Sequence, residues 1–236
     1  MAGEWYQGSH ALRLGLFDLS TVPNSTELDP HLFQQFELVA EVEKGYEIAR
    51  QPGVLRLLGF AMHAKMGAYD QATAIGKTTG QPADIAAVRA FHTKFGLALN
   101  LQQQLAADIG AFARISAAQG KYEAFEFTDV NGSVALGLSI SGNLWHRPED
   151  VFGMAGVVNR GSSAAERFLD AGGLGILVGD GQLPRPGSER VLETYYKLSI
   201  VRGVELSLDY QFIDNPAYNR DRGPVSIFAA RFHAQF

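Results

Sequence analysis

Cysteine is absent from all 236 residues, which removes disulfide frameworks, thiolate chemistry and cysteine-held metals together. No apolar run reaches the roughly 18 residues that a membrane-crossing helix needs. Positive charge is not in excess: 20 Lys and Arg stand against 25 Asp and Glu, for a formal charge of −5, and no basic cluster offers a nucleic-acid surface. The opening "MAGEWYQGSHALRL" lacks the charged-then-apolar pattern of a secretory leader. G-x-S-x-G is missing and the six histidines are scattered, so a Ser–His–acid hydrolase is not expected. The expectation is a non-enzyme with no cofactor and no resident metal. Linkers and low-complexity tracts are also lacking, so residues 1–236 read as a single domain. A transmembrane β-barrel shares every one of these absences, because its strands alternate and never form a long apolar window.

What is present is a period of two. In "FQQFELVAEVEKGYEI", Phe36, Leu38, Ala40, Val42, Tyr46 and Ile48 alternate with Gln35, Glu37, Glu41, Glu43 and Glu47. "VELSLDYQF", "RVLETYYKLSI", "SVALGLSIS", "FHTKFGLALNLQ" and "ALRLGLF" follow the same rule, which is the signature of half-buried strands. About eleven strands of roughly 10–16 residues are expected, longer than the soluble average of about five or six. Turn clusters separate them: "QPG" at 51–53, "NGS" at 131–133, "VRG" at 201–203 and "NPAYNRDRGP" at 215–224. "SSAAERFLDA" reads as a short helix opened by Ser, and residues 64–88 as a long loop with one helical piece.

A soluble antiparallel barrel or sandwich also alternates, and stays open as the alternative reading. The distribution of residues favours the membrane. Phe36, Tyr46, Tyr196, Tyr210, Phe212, Phe228 and Phe236 sit at strand ends with Leu, Ala and Val between them, as in an apolar band with aromatic girdles. The opposite face mixes charges of both signs with Gly, Ala and Ser, as an aqueous bore would. "GGLGILVG" has the wrong spacing for a dinucleotide loop, and its glycines suit a bent or closely packed strand.

The stretches "AGGLGILVGDGQLPRPGSERVLETYYKL", "LSLDYQFIDNPAYNRDRGPVSIFAARFHAQF", "LFDLSTVPNSTELDP" and "FEFTDVNGSVALGLSISG" resemble the carbohydrate-selective porins of Gram-negative outer membranes, the OprB family. The resemblance runs through most of the chain. It implies an antiparallel barrel of about 16 strands in the bacterial outer membrane, through which small sugars diffuse passively. It also implies that Phe236 is the signal read by the barrel-assembly machinery, and it leaves a homotrimer open. Such proteins are nearly twice as long, so a fragment lacking about five N-terminal strands is expected. Counting back from a periplasmic C-terminus makes "VRG" a periplasmic turn and "NPAYNRDRGP" an external loop, with "SSAAERFLDA" placed on the periplasmic side.

Parity nominates the residues that face the bore and meet sugar: Arg13, Glu37, Glu41, Glu43, His92, Lys94, Arg114, Glu193, Tyr195, Lys197, Glu205, Asp209 and Arg231, with His233 sharing their parity. Arginine and carboxylates supply paired hydrogen bonds to vicinal hydroxyls, and aromatic faces take the C–H surface of a sugar ring. The plainer alternative is that these charges pair with one another across neighbouring strands. Tyr218, Arg220, Asp221 and Arg222 either fold over the pore mouth or close a tight turn.

Overall fold

The computed structural model describes residues 1–31, 33–126, 129–175 and 183–235. Eleven strands form one antiparallel sheet in which every strand bonds to its neighbours in sequence. They are β1 (Ala2–Gln7), β2 (His10–Asp18), β3 (Phe36–Ile48), β4 (Gln51–Gly67), β5 (Arg89–Ala106), β6 (Ile109–Ala118), β7 (Gly132–Ser141), β8 (Val151–Arg160), β9 (Glu189–Val201), β10 (Val204–Asp214) and β11 (Val225–Ala234). The sheet is not closed: β1 and β11 are its two edges. Strand lengths run from 6 residues in β1 to 18 in β5, a wider spread than the sequence suggests.

Cross-strand register gives the two faces opposite chemistry. One face presents Leu14, Leu38, Leu57, Leu97, Leu99, Leu136 and Leu208, all exposed, with Leu97 at 63% and Leu136 at 59%. Among the described residues no second layer covers it. Leaving such side chains in water forgoes roughly 1.5–3 kcal/mol each, so this face demands an apolar solvent. Aromatic residues bound it. Phe36, Phe91, Phe212 and Phe228 lie toward one end, and Tyr46 and Tyr196 toward the other. From Phe36 to Tyr46 along β3, about 3.3 Å per residue and a tilt near 40° give a band of about 25 Å.

The two ends of the sheet differ. At one, β1–β2, β3–β4, β5–β6 and β9–β10 are joined by two residues each, and β7–β8 by a longer turn. At the other, all five connections are long and carry the helices α1 (Tyr69–Thr79) and α2 (Ser163–Asp170). Ser162 caps α2, its hydroxyl accepting from the Ala165 amide at 3.0 Å. Gly172, at φ 84°, and Gly173, whose amide donates to the Phe168 carbonyl, terminate α2 rather than bend a strand. Gly179, the last glycine of that stretch, lies outside the described residues.

Three expectations from the sequence are corrected. "QPG" is the start of β4; the turn is Ala49 and Arg50, both left-handed at φ 52° and 63°. Two such residues give the tight turn whose twist matches the flanking strands. Pro52 lies one residue beyond the last pairing with β5, so its missing amide leaves no bond unmade. "NGS" opens β7 instead of forming a turn, with Ser133 paired to Ser116 and Asn159. "SSAAERFLDA" lies at the long-loop end with 215–224, because Phe168 and Tyr218 share one buried cluster. Two connections on either side of a single hairpin turn must emerge at the same end.

Both clusters of buried apolar residues lie at the long-loop end. Tyr69, Ala72, Val88, Phe168, Leu169, Leu183 and Tyr218 form one cluster around the two helices, with the Tyr69 and Phe168 rings 5.3 Å apart. Leu19, Met62, Ala64, Met66 and Phe125 form the other, over the polar face of β4.

Candidate functional site

All thirteen nominated residues and His233 fall on one face of the sheet. The pairs Arg13↔Glu41 and Glu205↔His233 are directly opposite, and Asp209 pairs Tyr195 while Arg231 pairs Ser207. This face is concave: a single cavity of about 700 Å³ is lined from β4 to β9, by Val54, Gln102, Phe112, Arg114, Glu193 and Tyr195 among others.

Apart from Arg231, exposed on the edge strand β11, the nominated residues divide into three groups. Near β1–β4, Arg13 donates to Glu41 at 2.7 Å and Glu43 at 2.9 Å, and Arg56 donates to Glu43 at 2.8 Å. The Tyr6 ring lies under the Arg13 guanidinium at 5.6 Å. This ladder follows the pairing alternative: its arginines and carboxylates satisfy each other. Lys197 and Glu205 likewise pair at 2.8 Å.

The second group lines the cavity. The Arg114 guanidinium stands 4.8 Å over the Phe112 ring, exposed to the bore. Across the concavity the Tyr195 ring lies over Gly153, where any Cβ would collide with it. Glu193 lines it too, and Asp209, diagonal to Glu193 on β10 and just outside the cavity wall, points its carboxylate at that of Glu193. Gln102 and Gln104 add amides from β5. Flat rings, a guanidinium fork, carboxylates and amides around one water-accessible space can engage a polyhydroxylated ring from several sides.

The third group lies beneath residues 121–126 of the connection between β6 and β7, which fold inward over the polar face. Glu123 anchors it, accepting from Arg89 Nε and Nη2 at 2.8 and 2.9 Å and from the Gly67 amide at 2.7 Å. Tyr122 stacks on His92 with ring centroids 4.3 Å apart, and Phe125 is 2% exposed. Lys94 is covered, and Glu37 is half-buried beside Glu126. Glu123 and Glu126 were missed by parity because their segment has no period. Arg56 was missed because no alternating run was singled out between the "QPG" cluster and the long loop at 64–88. Tyr218 is buried in the helical cluster, and Asp221 pairs Arg185 at 2.7 Å, so 215–224 folds onto the cap of the long-loop end. Burial pushes both the Tyr69 and Tyr218 hydroxyls well above the ordinary tyrosine range, which keeps them neutral.

An apolar, aromatic-edged outer face and a concave charged inner face define the wall of a membrane β-barrel. The chain belongs to the carbohydrate-selective porin, OprB family, whose profile matches residues 4–236. Among solved structures it is similar to Pseudomonas putida OprB at high pH, with 16% identity and a TM-score of 0.78, covering 100% of this chain and 58% of that one. It is also similar to the outer-membrane channel DcaP of Acinetobacter baumannii, at 12% identity and a TM-score of 0.58, over 99% and 60% of the two chains. Pseudomonas aeruginosa OccK11 (OpdR) follows at 9% identity and a TM-score of 0.51, over 98% and 68%. The chain thus spans 58% of the length of the P. putida protein. No curated protein matches.

Proposed function

We propose that this chain forms the wall of a water-filled channel through which small sugars diffuse across the bacterial outer membrane. The observation that carries the reading is the cavity spanning β4 to β9, where Phe112 and Tyr195 supply ring faces and Arg114 and Glu193 supply charge. A passing sugar exchanges hydration for these groups without being held, as conduction requires. Short turns on the periplasmic side and long loops outside give the orientation. A soluble binding module is disfavoured by the uncovered leucine face. The test is planar-bilayer recording with the full-length protein. Stepwise conductance, partly blocked by added glucose, is expected, and Tyr195→Ala should weaken that block roughly threefold to tenfold, as loss of a ring contact does. A folded protein that leaves the bilayer inert overturns the reading.

A further inference from the structure

We propose that the alcove beneath the β6–β7 connection is a side pocket that seats one monosaccharide ring, held between Lys94 and the carboxylates of Glu37 and Glu126. The inference rests on the sugar-channel reading and adds a second station to it, apart from the cavity at Arg114 and Tyr195. Lys94 is 8% exposed and has no hydrogen-bond partner among the described residues, yet its side chain lines a pocket of about 290 Å³. A buried ammonium is retained at a cost unless something answers its donors. Glu123 and Asp129 offset its charge from a distance without bonding to it.

The remaining walls specify the ligand. Glu37 has no hydrogen bond among the described residues, and Glu126 accepts only from Ser20 Oγ, at 3.3 Å. Phe60 and Phe125 supply apolar surface and Ser116 a hydroxyl. An ammonium can only donate and a carboxylate only accept. A simple anion meets the two carboxylates, and a simple cation meets Lys94, so both are repelled. Vicinal hydroxyls do both: one accepts from Lys94 while its neighbours donate to Glu37 and Glu126, and the C–H face lies on the phenylalanines. The volume is at the lower limit of small-molecule sites, about 300 Å³, which suits one ring and excludes a chain of three.

The experiment compares block of the full-length channel by glucose and by maltotriose in planar bilayers. In Lys94→Met and in Glu37→Gln, the half-blocking glucose concentration should rise about tenfold, as loss of a hydrogen bond to a charged group predicts. Block by maltotriose should shift less than about twofold, because that sugar engages only the open cavity. Glucose block unchanged in both variants, each migrating on gels as a folded barrel, overturns the pocket while leaving the channel reading intact. Wild-type protein that no sugar blocks overturns both. Should the variants not fold, acetylation of wild-type Lys94, referenced to exposed Lys44, decides: glucose should slow it about threefold through burial of the amine, and an unchanged ratio sinks the pocket.

Discussion

Asp150, the last residue before β8, has a side chain only 1% exposed, and every bond it makes is to a charged or polar partner. Arg147 and the Tyr196 hydroxyl donate to it, the Ser199 amide donates at 2.9 Å, and Trp145 Nε1 donates to Tyr196 at 2.9 Å. The Arg147 guanidinium, helped by Tyr196 and Ser199, holds this carboxyl well below the usual carboxylate range. A carboxyl depressed on folding contributes stability that is complete above its unfolded value, about 3.9, and lost as the pH falls through the lowered one. Asp150→Asn should therefore lower the unfolding temperature at pH 7 and flatten the loss of stability on acidification below about pH 4; thermal scans of both proteins from pH 7 to pH 2 check this. At the same scale, parity alone grouped Arg13 through Arg231 on one face of the sheet, because a strand's side chains obey a strict alternation. It had no power over Asp150, Glu123 or Glu126, whose positions depend on where a non-periodic segment folds back.

Among the elements, the β6–β7 connection has the most to lose from one substitution. Phe125 fills a space between Leu19, Met62, Ala64 and Met66, while Glu123 holds Arg89 and the Gly67 amide. Phe125→Ala removes a buried ring, a change that costs about 3 kcal/mol or more, and here the loss falls on docking of the segment rather than on the sheet. The expected outcome is a larger single-channel conductance with a weaker glucose block, read in the same bilayer recordings; an unchanged conductance would mean the segment is held by Glu123 alone. The helix α2 was legible from its Ser162 cap, but its end of the sheet was not, since a helix carries no mark of which side of a hairpin it joins. The Ala49–Arg50 turn was hidden because neither residue is a turn former, and the adjacent "QPG" drew the reading two residues too far.

For the whole molecule, two solvents set the sequence pattern: hydrocarbon on the leucine face and water on the charged one. Leu136, 59% exposed at mid-band on β7, tests this division. Leu136→Arg should cost about 2–4 kcal/mol in a bilayer, seen as a lower denaturant midpoint for the protein folded into vesicles; the absence of any cost would place that face in water. The all-β membrane class was therefore readable, since alternation, strand length and aromatic placement agreed over most of the chain. The concave cavity from β4 to β9 was not readable, because curvature depends on how eleven strands twist together. The neighbour-only pairing of those strands bears on how the chain reaches its final state. Each new strand finds its template already laid by the one before, so the entropy of ring closure is met in small increments. Zippering from hairpin to hairpin, with local contacts forming first, is the folding route such connectivity favours.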